Sequence, residues 1–176
     1  MFFSDPDFQL RHYKNLSNEE NSELKRIDDS YIKHYAESLD EHWSYEDFYK
    51  MFDELKYKTL KYAMDVETKE VFVVGFFGAS VRQGAGGRAL TNAELYVMPE
   101  FRKMGIAKKL VGITFERAQE DGIDNFDSIT YKIPGNDSLG FWKSVGAKVS
   151  GLTHIEGDVS EILDTIEEKS VNEMKF

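Results

Sequence analysis

The fourteen residues from Val97 to Leu110, Val97-Met-Pro-Glu-Phe-Arg-Lys-Met-Gly-Ile-Ala-Lys-Lys-Leu110, put a strand exit, a basic turn and the start of an amphipathic helix in immediate succession. Physics gives that order a purpose. The first N–H groups of a helix have no intrahelical acceptor, so a helix entered through a tight turn presents an anion site. Gly105 and Ala107 keep that turn free of bulk, so that a phosphate can approach the backbone. Arg102, Lys103, Lys108 and Lys109 surround it with positive charge. The other reading of the same residues is an ordinary β-to-α connection with a solvated basic face.

The surrounding charge sharpens the point. The chain has 176 residues and a formal net charge of −10. Residues 1–56 carry 14 acidic and 7 basic side chains, whereas residues 99–117 carry 5 basic and 2 acidic. So acidic a chain is a poor partner for a nucleic-acid backbone or an anionic membrane. A local anion site within it suits a small anionic cofactor, and the acidic remainder suits either solubility or a cationic co-substrate. The length fits one domain over residues 1–176. No apolar run reaches the ~18–20 residues that span a bilayer, and the N-terminus does not read as a secretory signal. Cysteine is absent, which excludes disulfides and makes a cytoplasmic setting the simplest expectation.

Periodicity supplies the elements. Residues 8–13 read as a short first strand. A helix follows to about residue 39, with Leu24, Ile27, Tyr31, Tyr35 and Leu39 on one face. A second helix starts at Ser44, with Asp47 as a capping-box partner and Phe48, Met51, Phe52 and Leu55 as its stripe. From residue 58 the period becomes that of strands: 59–64, a long buried strand 71–81, and 89–97. The glycine cluster Gln83–Gly87 leads into a strand and lacks a Lys-Ser/Thr, so it reads as a hairpin and not a phosphate loop. After the basic turn come a helix to about Gly122, a strand 126–133, and a short helix from about Asp137 to Val145 that closes at Gly146. An extended stretch from Lys148, a helix 159–168 and a terminal strand 171–176 complete the expectation. The layout is α+β, a mixed and mostly antiparallel sheet flanked by helices.

Arg102-x-x-Gly105-x-Ala107 resembles the pyrophosphate-binding motif Arg/Gln-x-x-Gly-x-Gly/Ala of the GNAT superfamily of acyl-CoA-dependent N-acetyltransferases. Leu95-Tyr-Val-Met-Pro-Glu-Phe resembles that family's fourth strand and its exit, and the element order is similar over nearly the whole chain. The resemblance implies acetyl-CoA as co-substrate and a sheet whose fourth and fifth strands splay apart to admit the pantetheine arm. It implies that Leu95, Tyr96 and Val97 line the arm, and that Arg102, Lys103, Met104, Gly105, Ile106, Ala107 and Lys108 hold the pyrophosphate. Asn136, Phe141 and Trp142 complete the cofactor contacts on this view. The region of Tyr31, His42 and Trp43 is where the family shapes its acceptor pocket, although an aromatic loop between two helices is also a common core plug.

Acetyl transfer to an amine needs an unprotonated nucleophile held at the thioester and a stabilised oxyanion. Glu94 is the candidate general base, three residues before Val97; the alternative is a strand carboxylate paired with a basic neighbour. The family places a tyrosine acid in a segment that aligns here with Phe141 at a leucine position and Trp142 at the tyrosine. An indole N–H has no useful proton to transfer. That leaves water or Tyr131 as the acid, or a fold that has lost its chemistry. No spacing reads as a metal site: His154 lacks partners.

Three functions follow from these residues. One is an N-acetyltransferase acting on a primary amine of a small-molecule or protein acceptor, cationic in character. The second is a non-catalytic acyl-CoA-binding module, and the third an acidic protein-interaction domain on the same fold. The resemblance also leaves room for a homodimer through the C-terminal strand.

Overall fold

The computed structural model describes residues 3–4, 18–39, 42–84, 87–130 and 138–148. The chain divides into two compact units, Met1–Ser128 with Ile133–Asp137, and Ile129–Lys132 with Ser138–Phe176. In order, the elements are β1 (Phe3–Ser4), α1 (Asn18–Leu39), α2 (Tyr45–Glu54), β2 (Tyr57–Asp65), β3 (Val71–Gly84), β4 (Gly87–Val97), α3 (Ile106–Glu120), β5 (Asn125–Phe126) and α4 (Ser138–Ser144). The expected first strand at 8–13 and everything expected beyond residue 148 lie outside the described residues.

The first unit is built on a five-stranded sheet in the order β1-β2-β3-β4-β5. Its first three pairings are antiparallel and the last, β4 with β5, is parallel. Strand β3 is buried from Phe72 to Ala79, which explains its unbroken apolar run: both faces are covered. Phe76 meets Phe48 and Phe52 of α2 at ring separations of 6.0 and 5.3 Å. Its neighbour Phe77 points the other way, to Phe115 of α3 at 6.0 Å. Each such ring, fully buried, contributes roughly 1.5–3 kcal/mol. Leu24, Ile27 and Tyr31 of α1 are buried as the heptad-like spacing requires.

Local chemistry sets the boundaries. Ser44 caps α2 through a reciprocal capping box: its hydroxyl accepts from the Asp47 N–H, and the Asp47 carboxylate accepts from the Ser44 N–H. Lys58 is 2% exposed, yet its ammonium donates to the Asp53 carbonyl at 3.3 Å and lies over the Phe52 ring. Burial pulls its pKa down. Strand β5 is shorter than the 126–133 run suggests. It pairs only Asn125 with Ala89 and Phe126 with Leu90. After that the Ser128 hydroxyl accepts from the Ala93 N–H at 3.0 Å, so a side chain replaces the ladder. In the second unit, α4 ends at Ser144 and the turn after it closes at Gly146, whose φ of 89° is left-handed. Among the described residues no helix is long and apolar enough to cross a membrane.

Candidate active site

The strand-to-helix connection after β4 is built in steps. Pro99–Phe101 forms one 3₁₀ turn, with Pro99 where a missing N–H costs nothing. Phe101 is buried against Phe72 and anchors the turn. Lys103 and Gly105 then take positive φ values of 63° and 77°, so α3 begins only at Ile106. The first helical bond runs from the Lys109 N–H to the Gly105 carbonyl at 3.2 Å. Ahead of it stand the N–H groups of Ile106, Ala107 and Lys108, and no side chain caps them. A Cβ placed on Gly105 would meet nothing within 4 Å. The glycine therefore serves its left-handed backbone and leaves open space before the helix. On the inner side, a Cβ on Gly75 would meet Val97 and Ile106 side chains at 3.2 and 3.3 Å; its absence lets α3 start tight against the sheet. Open space, uncapped amides and exposed Lys103 and Lys108 fit the diphosphate of an acyl-CoA.

Strand β4 changes phase on its way to this turn. Gly78 pairs with Glu94 but Ser80 pairs with Thr91, so β4 carries one extra residue, and Asn92 sits there at φ 47°. Before the bulge Arg88 reaches the Asp121 carbonyl at the end of α3. Beyond it Glu94 and Tyr96 turn to α1 instead. The backbone follows the same logic. The Met98 N–H bonds the Val74 carbonyl at 2.9 Å, so by antiparallel alternation Tyr96 and Glu94 bond β3 while Leu95 and Val97 face away from it. Leu95 and Val97 lie beyond the two-residue pairing with β5.

Glu94 is half-buried under α1. Its Oε2 accepts from the Tyr31 hydroxyl at 3.1 Å and the Tyr35 hydroxyl at 3.3 Å. Tyr31 is 1% exposed, and burial first, then the Glu94 charge, drives its pKa well above the ordinary phenol value. It stays a donor at any physiological pH. Trp43 packs its ring 5.6 Å from Tyr31 and 5.1 Å from Tyr35. Residues 31, 35, 43 and 94 thus form one aromatic-walled carboxylate site in the first unit.

The sequence matches the acetyltransferase (GNAT) family over residues 25–147. The chain is a member of the GNAT family. Among solved structures it is similar to a ribosomal-protein-alanine N-acetyltransferase of Brucella melitensis, with a TM-score of 0.59 and 18% identity over 85% of this chain and 98% of that one. Glucosamine-6-phosphate N-acetyltransferase of Arabidopsis thaliana gives 0.57 and 13%, over 86% and 99%. AAC(6')-Iy in complex with the bisubstrate analogue CoA-S-monomethyl-acetylneamine gives 0.54 and 16%, over 85% and 97%. No curated protein sequence matches the chain.

Set in the GNAT frame, the expected residues fall into distinct places. Arg102, Lys103, Met104, Gly105, Ile106, Ala107 and Lys108 do form the turn and first helical residues, with Ile106 buried as an anchor and Met104 65% exposed. Tyr96 is only 4% exposed and aims its ring at α1. Tyr31 is buried as well, with its hydroxyl on Glu94 and its ring against Tyr35 and Trp43. His42 is exposed. Phe141 and Trp142 lie on α4 in the second unit, rings 5.2 Å apart; Tyr131 and Asn136 lie outside the described residues. Tyr35, which the sequence marks only as part of the apolar face of α1, joins Tyr31 on the Glu94 carboxylate. The signal for Tyr35 was present: it stands four residues after Tyr31 on the same helical face.

Proposed function

We propose that this GNAT protein transfers the acetyl group of acetyl-CoA directly to a primary amine. The observation that carries the proposal is the succession along one strand. Glu94, a possible base, is followed within about 10 Å of extended chain by the outward amides of Leu95 and Val97 and then by the uncapped start of α3.

In this reading the amides of Ile106, Ala107 and Lys108 bind the pyrophosphate, and Leu95 and Val97 hold the pantetheine. One of the two lone pairs of the Val97 carbonyl is already engaged by Arg102, so its N–H is the better contact. The acceptor arrives as an ammonium ion, which suits a carboxylate between aromatic rings, and gives one proton to Glu94, directly or through water, which frees its lone pair. The neutral nitrogen then forms the C–N bond at the thioester carbonyl as the C–S bond breaks. The second N–H proton, lost from the adduct, is matched by the proton that the departing thiolate takes through water or Tyr131. The compounds named for similar folds, a ribosomal protein's alanine, glucosamine-6-phosphate and an acetylneamine joined to CoA, all carry amine nitrogen.

Calorimetry with acetyl-CoA, followed by thiol release across chemically varied amines, tests the reading. Heat of binding and release with at least one amine class support it; the absence of any heat removes it. Heat without release from any amine favours the second reading, a CoA-binding module without turnover. That reading draws on Trp142 standing where the family's tyrosine acid is expected.

A further inference from the structure

Arg102 brings charge to the turn, but its geometry describes another task. Its Nε donates to the Val97 carbonyl at 2.9 Å, so the guanidinium folds back over the turn it introduces. Its Cζ lies 5.6 Å from the centroid of the Tyr96 ring. That ring is itself held on several sides. Its hydroxyl meets the Ser30 hydroxyl at 2.8 Å and donates to the Ser30 carbonyl at 2.9 Å. Tyr31 packs edge-on at 5.3 Å and His34 lies at 5.6 Å. Burial, then the nearby Arg102 charge, lowers the His34 pKa, so no second cation competes for the ring at neutral pH.

From this arrangement we infer that Tyr96 and Arg102 are positioning residues for the anion turn: α1 fixes the Tyr96 ring, the ring carries the guanidinium, and the guanidinium closes the turn on Val97. The inference rests on the proposed acyl-CoA site and adds a cause for its shape. Two adjacent features need such a brace. Lys103 and Gly105 both sit at positive φ, and Met104 between them is 65% exposed, so residues 103–105, between the buried anchors Phe101 and Ile106, have little packing of their own. A donor fixed to the strand end supplies what packing does not. The charge of Arg102 is then secondary to its N–H.

Two substitutions separate these roles. Arg102→Gln keeps a donor and loses the charge; Arg102→Met loses both. If Arg102 positions the turn, R102Q binds CoA within about threefold of wild type, whereas R102M weakens binding about tenfold, the size of one lost hydrogen bond. In steady state the loss appears in KM for acetyl-CoA with kcat little changed. Tyr96→Leu reproduces the R102M effect if it folds; the Arg102 pair decides the matter if it does not. Equal weakening in R102Q and R102M overturns the inference in favour of a direct charge contact, and wild-type binding in R102M overturns it outright. Amide hydrogen exchange of residues 103–108 without any ligand gives a separate readout. Faster exchange in R102M than in R102Q supports the brace, and identical exchange overturns it. If wild type binds no CoA the proposed function fails, while the exchange comparison still decides the positioning role.

Discussion

The Tyr31 hydroxyl of α1 donates to the Glu94 carboxylate of β4 across 3.1 Å, joining residues 63 positions apart in the chain. Tyr35 reaches the same oxygen one helical turn later. The helix that packs on the sheet therefore also fixes the carboxylate proposed as base.

Replacing Glu94 with Gln keeps its size and removes its basicity. Steady-state thiol release is expected to fall by about 10²–10⁴ in kcat, with KM for acetyl-CoA little changed. Tyr35→Phe removes one of two donors and is expected to cost roughly three- to tenfold. Wild-type turnover in E94Q would end the assignment of Glu94 as the base.

Gly105→Val tests the turn itself. A β-branched residue at φ 77° is strained, by about 1–2 kcal/mol, and its side chain would enter the space left open before α3. Thermal melting is expected to show a modest loss. Calorimetry is expected to show at least a tenfold weaker association with CoA, since the binding space is lost as well as the backbone fit. Unchanged association would place the anion elsewhere.

Thr59 of β2 and Thr114 of α3 share a buried hydrogen bond of 2.6 Å. Thr114→Val is nearly the same shape and strands the Thr59 hydroxyl, so urea unfolding is expected to report a loss of about 1–3 kcal/mol. The double variant with Thr59→Val should recover part of it, because no polar atom is then left alone. A double variant less stable than the single would contradict this account.

Asp28 predicts a dependence of stability on pH. Burial raises its carboxyl above the ordinary 3.8, outweighing the hydrogen bond from Tyr49. The folded state then holds a proton that the unfolded state has released, and stability falls as pH rises through the folded pKa. The contribution is fully present below the unfolded value. Asp28→Asn removes this step, so the stability difference, variant minus wild type, should grow with rising pH above the ordinary carboxyl range. Parallel curves for the two proteins would refute it.

Much of this was legible in the residues. Ser44 and Asp47 announced the start of α2, and Gly105 with the surrounding basic residues announced the turn, because capping and left-handed φ are local demands written in local sequence. Glu94 was legible as a candidate but its partners were not. Tyr31 and Tyr35 read as one apolar stripe, since periodicity counts rings and is blind to where a hydroxyl points. Of the strand expected at 126–133, residues 131–133 lie outside the described residues; β5 ends at Phe126, and soon after it the Ser128 hydroxyl takes the Ala93 N–H, a tertiary contact with no local mark. Arg102 was found for its charge, and its bond to Val97 appears only when strand and turn are folded together.

The bulge at Asn92 carries a consequence for how such a strand can change. The extra residue puts Arg88 and Glu94 on opposite faces although both positions are even, because Ser80 and Gly78 of β3 pair with Thr91 and Glu94. Deleting one residue at the bulge would restore a regular ladder and leave Glu94 opposite Gly78, still turned toward α1. The proposed site therefore depends on that one pairing and has a spare residue beside it, so the strand can be shortened there without losing its carboxylate.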